Sequence, residues 1–139
     1  MNVVQKQTLT LAAAKKMAEA VEAFAGAQKW NVSIAVVDGG SNLVYLGRMD
    51  GAILGSIEIA ERKARTAVMY QCPTKDLEAG LAGGMTSLLK LDILPFEGGI
   101  PLSVDGQVAG AIGVSGISPT TDGKIAQVGA DWFAKAPKP

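Results

Sequence analysis

The stretch FEGGIPLSVDGQVAGAIGVSG, residues 96–116, contains two alternating apolar runs on either side of the dipeptide Asp105-Gly106. Asp-Gly between such runs favours a two-residue β-hairpin, since both residues adopt positive φ at low cost. Pairing outward from that turn places Leu102 opposite Ala109. Apolar residues then occur on both faces of the strands, so the sequence predicts a hairpin that is covered on both sides.

The glycines of this stretch raise the question of a phosphate-binding loop. A P-loop needs Gly-Lys followed by Ser or Thr, but the only Gly-Lys pair of the chain, Gly123-Lys124, precedes Ile125. The dinucleotide fingerprint opens a helix after a strand, whereas Gly110 and Gly113 lie inside the predicted strand. Glycine inside a strand is typical of a close approach by another group. We therefore expect a helix or a ligand to pack against these two positions.

Outside this hairpin, periodicity and capping residues predict a second hairpin and four helices. The predicted elements are a helix from Thr10 as N-cap to about Gln28, strands at 31–38 and 42–49, a helix at 54–71, a short helix capped by Thr74, a third strand in the second half at Asp92–Leu94, and a helix from Pro119 or Thr121 to about Ala134. The order α-β-β-α-α-β-β-α predicts one α/β (α+β) sandwich, a largely antiparallel sheet with helices on both sides.

The composition restricts the compartment and the chemistry. A chain of 139 residues suits one domain, and its thirteen basic and thirteen acidic residues give no electrostatic argument for nucleic acid or a membrane. One cysteine, Cys72, and a first segment without a secretion signal predict a cytoplasmic protein. The chain has no histidine, which excludes histidine-based triads and histidine metal sites, so we expect no metal site.

Four blocks in this order resemble the GlcG/HbpS family, often labelled a haem-degrading domain, and the C-terminal part of PduO-type proteins. The blocks are VVDGGSNLVYLGRMDGA (36–52), SIEIAERKARTA (56–67), PTKDLEAGL (73–81) and the stretch at 96–116. The likeness covers about Thr8 to Phe133, so we expect a single domain over 1–139 with its core at about 8–133. The resemblance implies a profilin-like fold with a five-stranded, mainly antiparallel sheet, assembled as a dimer, tetramer or octamer. Some relatives bind haem, which makes haem a candidate cofactor, and the family has no single agreed activity.

Two cations are the strongest candidates for ligand contacts. Arg48, at the end of the second predicted strand, could hold a carboxylate in a bidentate grip, or could form a structural pair with Asp50 or Glu97. Lys63 lies toward the apolar side of its helix, where an amine could have a lowered pKa or bind an anion. More often, a lysine at such a boundary extends its amine into water, and this is what we expect of Lys63.

We expect a site where the second strand ends, near the middle helix and the segment Glu97-Gly98-Gly99, close to a subunit boundary. The expected ligand-binding residues are Arg48, Met49, Asp50, Lys63, Glu97, Gly98, Gly99, Pro101 and Ser115. The candidate groups for proton transfer are Lys63, Asp50 and Glu97. If haem binds, the missing histidine requires another axial group or apolar packing, with the propionates on Arg48 or Lys63.

Three functions remain open at this point. The first is a binding protein for haem, another tetrapyrrole or a small carboxylate. The second is a small cofactor-free isomerase or lyase acting on a carboxylate-bearing metabolite. The third is an oligomeric accessory protein of a catabolic pathway. In each case we expect a homo-oligomer, because strands that are apolar on both faces and alanine-rich helices favour burial against further copies.

Overall fold

The computed structural model describes residues 2–138, which form one α+β unit with the expected order of helices and strands. Its elements are α1 (Leu11–Ala27), β1 (Ser33–Asp38), β2 (Leu43–Arg48), α2 (Ser56–Tyr70), α3 (Thr74–Ala82), a 3₁₀ helix (Thr86–Lys90), β3 (Gly99–Val104), β4 (Gln107–Ser115) and α4 (Pro119–Lys135). Thr10 caps α1 as predicted, since its hydroxyl accepts a hydrogen bond from the backbone N–H of Ala13 at 3.1 Å. No helix within these residues is both long and apolar enough to span a bilayer.

The four strands form one antiparallel sheet in the order β2-β1-β4-β3. Helices α1 and α4 cover one face, where Met17, Ile112 and Ile125 belong to a large buried cluster. Helix α2 covers the other face with alanines, among them Ala60 and Ala64. Because small side chains bring the helix axis close to the sheet, the backbone of α2 lies almost directly on the central strands.

The expectation of five strands is wrong: the described residues form four. The segment Asp92–Leu94 is irregular because side chains of α2 satisfy its backbone in place of a neighbouring strand. The N–H of Leu94 donates to the Thr66 hydroxyl at 3.1 Å, and the Ile93 carbonyl accepts from the Arg62 guanidinium at 3.3 Å. Pro95 follows directly and has no N–H to offer to a strand partner.

The hairpin around Asp105-Gly106 is confirmed, but its predicted register holds only next to the turn. Leu102 pairs with Gly110 and not with Ala109, because a β-bulge shifts the register between Leu102 and Ser103. The carbonyl of Ala109 accepts a hydrogen bond from the N–H of Leu9 at 3.0 Å. The chain segment before α1 is therefore hydrogen-bonded to β4 at the position of the bulge.

Candidate functional site

A buried ion pair joins α2 to α4 at one end of the sheet. Lys63 is 1% exposed, and its Nζ lies 3.1 Å from Oδ2 of Asp122. The same amine donates to the backbone carbonyl of Val114, in β4, at 2.9 Å. The expectation that this side chain reaches water is therefore wrong, and the amine is held by two acceptors inside the protein.

Asp122 is held in place by the start of α4. Ser118 caps that helix, and Pro119 occupies its first turn. The second carboxylate oxygen of Asp122, Oδ1, accepts from the N–H of Ile117 at 3.0 Å. A carboxylate in the first turns of a helix is further stabilised by the positive end of the helix dipole. Both oxygens of Asp122 thus have partners, as a buried carboxylate requires.

Burial lowers the pKa of Lys63 below its ordinary value, because the charged amine loses its hydration. The carboxylate of Asp122 opposes this change, through charge and through the hydrogen bond, and Glu78 and Glu97 add smaller opposing effects. The cost of burial is the largest of these contributions. The pair therefore links α4 to α2, and the lowered pKa of Lys63 predicts that its contribution to stability depends on pH.

We expect the free energy of unfolding of the wild type to rise, relative to a Lys63→Met variant, as the pH approaches the ordinary lysine pKa of 10.5. Between the lowered folded pKa and 10.5 the unfolded chain binds more protons than the folded chain, so stability increases with pH. This contribution is complete above the unfolded pKa and is lost as the pH falls through the folded pKa. Urea unfolding of both proteins at about pH 8 and about pH 10 measures the difference, and a difference that shrinks with rising pH would contradict the expectation.

The segment Glu97-Gly98-Gly99 crosses directly over Lys63. A Cβ atom at Gly98, where φ is +134°, would lie 2.7 Å from the Lys63 Nζ, and one at Gly99 would collide with the Lys63 carbonyl. The N–H of Gly99 donates to the Thr74 hydroxyl at 2.9 Å. Thr74 is therefore not the N-cap of α3, a position held by Pro73, because its hydroxyl is used to anchor this crossing.

The cavity beside this crossing is small. It has a volume of about 60 Å³ and is lined by Pro73, Lys75, Glu97, Gly98, Gly99, Ile100, Gly123 and Gln127. Pockets that enclose drug-sized ligands have volumes of about 300–1,000 Å³. A tetrapyrrole therefore does not fit inside it, and Lys63 has no room for a propionate.

The other predicted cation lies at the far edge of the sheet. Arg48 pairs with Ser33, and Ser33 pairs with Ser115, so Arg48 is two strands away from β4, at about 10 Å. The space between Arg48 and the end of β4 is filled, because the hydroxyls of Ser33 and Ser56 form a buried hydrogen bond of 2.8 Å there. Among residues 2–138, no ion pair involves Arg48.

The structure thus divides the predicted site residues into two groups. The first group lies at the buried pair: Lys63 belongs to the pair, the segment Glu97-Gly98-Gly99 crosses it, and Ser115 is buried nearby at the end of β4. Arg48, Met49 and Asp50 lie at the open edge where β2 ends, and Pro101 lies on β3 opposite Ala111. The expected convergence of Arg48 with Lys63 and Glu97 is not seen in hydrogen bonds or ion pairs of the described chain.

Sequence reasoning missed Asp122, the partner of Lys63. One signal was present: Asp122 is the only acidic residue between Asp105 and Asp131, and it stands in the first turns of a predicted helix. Thr74 and Glu78 were also missed as anchors of the crossing segment. The Glu78 carboxylate accepts from the N–H of Glu97 at 3.2 Å.

Comparison with known families and proteins agrees with this architecture. Residues 9–131 match the family model described as "Haem degrading protein HbpS-like". An uncharacterised 15.0 kDa protein from the dhaT-dhaS intergenic region of Citrobacter freundii is 39% identical over 137 residues, which cover 94% of this chain and 96% of that protein. The protein GlcG of Escherichia coli K12 is 44% identical over 87 residues, covering 62% of this chain and 65% of GlcG.

Three solved structures share the fold over most of their length. The Klebsiella pneumoniae protein ORFY superposes with a TM-score of 0.94 at 35% identity, covering 99% of this chain and 98% of ORFY. A double mutant of Streptomyces reticuli HbpS superposes with a TM-score of 0.87 at 37% identity, covering 93% of this chain and 89% of HbpS. PduOC, in a complex with haem, superposes with a TM-score of 0.81 at 30% identity, covering 89% of this chain and 94% of PduOC.

Proposed function

This chain belongs to the GlcG/HbpS family, and from that membership we propose that it is a small-ligand-binding protein whose ligand is haem, another tetrapyrrole or a small carboxylate. The proposed ligand site is the Arg48 surface, which we define by Arg48, Met49, Asp50, Ile53 and Leu54. This surface includes the end of β2 and the turn that leads to α2. It is open to solvent and lies outside the buried Lys63–Asp122 pair.

One observation carries this assignment: an exposed arginine without an ion-pair partner among residues 2–138 lies close in the chain to large exposed apolar side chains. Ile53 is 65% exposed and Leu54 is 77% exposed. Large apolar side chains so exposed and next to one another are typical of an interaction site. A guanidinium beside them supplies the charge-assisted partner that a carboxylate needs.

In this proposal, haem would bind to these residues at the surface of the protein. Arg48 would hold a propionate, and Ile53 and Leu54 would cover part of the macrocycle. The chain has no histidine for the iron, and the thioether of Met49 is half-buried and packs against the α1–α4 core. The haem complex of PduOC supports a tetrapyrrole as the ligand class, since that structure shares this fold.

A second copy of the chain would complete the site. At the Arg48 surface Ile53 and Leu54 are largely exposed to solvent, whereas ligand sites usually enclose most of their ligand. We therefore propose that the protein is a homo-oligomer and that the ligand lies close to a subunit boundary. The geometry gives less support to an enzymatic function. The Lys63 amine, a candidate for proton transfer, is buried and donates its hydrogen bonds to Asp122 and to the carbonyl of Val114.

Truncating Arg48 to alanine is expected to weaken haemin binding roughly tenfold to over a hundredfold, because a charge-assisted contact worth about 1.5–3 kcal/mol is lost. Arg65→Ala is the matched control, since Arg65 is also exposed but lies on the outer side of α2. Its affinity for haemin should stay within about twofold of the wild type. Absorbance titration at matched folding, checked by circular dichroism, measures both values. Equal affinities of the two variants would remove the Arg48 surface as the site.

A further inference from the structure

A concave surface lies at the end of the sheet opposite to the Arg48 surface, near the start of β4. It is a groove of about 430 Å³ between the segment that leads into α1, the β3–β4 hairpin and the end of α4. We call it the Trp132 groove; its lining includes Leu9, Lys16, Val104, Trp132, Phe133 and Lys138. Its volume lies within the range of about 300–1,000 Å³ that is usual for small-molecule sites. None of the residues placed at the Arg48 surface contributes to it.

The groove has an apolar floor with an aromatic side. Leu9, Val104 and Phe133 are buried members of the α1–α4 core that also reach the groove, and Trp132 is half-buried beside them. Aromatic side chains offer large contact areas at a low cost in conformational entropy. The floor is therefore suited to the apolar body of a ligand.

Among residues 2–138, the charged side chains that line the groove are those of Lys16 and Lys138. Lys16 is exposed on α1 and makes no ion pair among residues 2–138. Lys138 is held over the groove: its Nζ lies 4.4 Å from the centroid of the Phe133 ring and donates to the carbonyls of Phe133 and Ala136. Within the described part of the chain the lining contains neither Asp nor Glu, and the first turn of α1 has no acidic residue. An anion in the groove would therefore meet two side-chain amines and no side-chain carboxylate from the described lining.

We propose that the Trp132 groove binds a small monocarboxylate with an apolar body, of the acyl or aryl class. The carboxylate lies at Lys16 and Lys138, and the apolar body lies against Trp132 and Phe133. This charge arrangement selects a carboxylic acid over the corresponding alcohol, while the floor selects it over acetate. The site is independent of the proposed Arg48 surface, because the two lie at opposite ends of the sheet.

The two tryptophans of the chain allow a direct test. Trp30 packs edge-to-face on Phe24 with ring centroids 6.2 Å apart, so Trp30→Phe keeps an aromatic ring there and leaves Trp132 as the single indole. Titrating this variant with octanoate and with 3-phenylpropionate should change the Trp132 emission in a saturable way. A response to octanoate alone identifies an acyl ligand, and a response to 3-phenylpropionate alone identifies an aryl ligand. Octanol and acetate are expected to bind at least several-fold more weakly than octanoate.

Matched lysine variants in the same background locate the carboxylate. Lys16→Gln should weaken octanoate binding by up to about fivefold, the usual effect of an exposed charge pair. Lys15→Gln, one residue away but outside the groove lining, should leave it unchanged. Haemin affinity should be unaffected by Lys16→Gln, and the octanoate-dependent change in Trp132 emission should be unaffected by Arg48→Ala. The two proposals can therefore be contradicted independently of each other. The absence of a saturable change with either acid, equal binding of octanol, or equal effects of the two lysine variants would overturn the proposal.

Discussion

Replacing Lys63 with methionine is expected to lower the free energy of unfolding by about 3–5 kcal/mol, the usual cost of breaking a buried ion pair by removing one partner. The side chain of Asp122 is 4% exposed, so its carboxylate would remain buried opposite an apolar group. The carbonyl of Val114 would lose its donor as well. Urea unfolding followed by circular dichroism measures the loss, with the slope of the transition compared between the two proteins.

The double variant Lys63→Met, Asp122→Asn is the control for this result. It removes both charges but keeps an acceptor for the N–H of Ile117. Because replacing a whole buried pair by neutral groups is often tolerated, the double variant should be more stable than Lys63→Met alone. A loss below about 1 kcal/mol in Lys63→Met, or a double variant less stable than the single one, would show that the pair does not hold α2 against α4.

The variant Gly113→Val is expected to lose about 3 kcal/mol or more, at or above the usual upper limit for overpacking a core. A Cβ at Gly113 would collide with the carbonyl of Ala60 and lie 2.7 Å from the backbone nitrogen of Ala64. Both atoms belong to the backbone of α2, which cannot rotate away as a side chain would. The melting temperature and the urea midpoint should both fall.

Gly55→Ala provides the comparison for that measurement. An added Cβ at Gly55 meets nothing within 4 Å, and its φ of −61° suits alanine. We expect a change within about 0.5 kcal/mol, as for most surface substitutions. If Gly113→Val were as mild as Gly55→Ala, the close approach of α2 to β4 would be contradicted.

Local signals predicted the elements well and their long-range contacts less well. Asp105-Gly106 located the β3–β4 turn because a tight turn is a property of two adjacent residues. The bulge near Leu102 was not predictable, since it accompanies a hydrogen bond between Leu9 and Ala109, far apart in sequence. The segment Asp92–Leu94 and the family resemblance both predicted a fifth strand, but side chains of α2 occupy the backbone groups that it would need.

The glycines inside the predicted strand were expected to allow a close approach by a helix or a ligand. At Gly113 it is helix α2 that approaches the strand. The unusual position of Lys63 on its helix was visible in the sequence, but its partner lies 59 residues away. Arg48 and Lys63 were predicted to form one site because Arg48 ends β2 and Lys63 lies in α2, the next element of the chain. The buried hydrogen bond between Ser33 and Ser56 fills the space between them, and only the folded chain reveals it.

Native mass spectrometry of the protein purified from its own host, with no ligand added, tests the proposed function most directly. It reports the mass of any bound ligand and the number of subunits in one measurement. We predict an oligomer whose mass exceeds a whole multiple of the chain by that of a tetrapyrrole or a small carboxylate, with the excess reduced in Arg48→Ala and retained in Arg65→Ala. An oligomer that carries no ligand would contradict the binding function and favour an accessory role for the assembly itself.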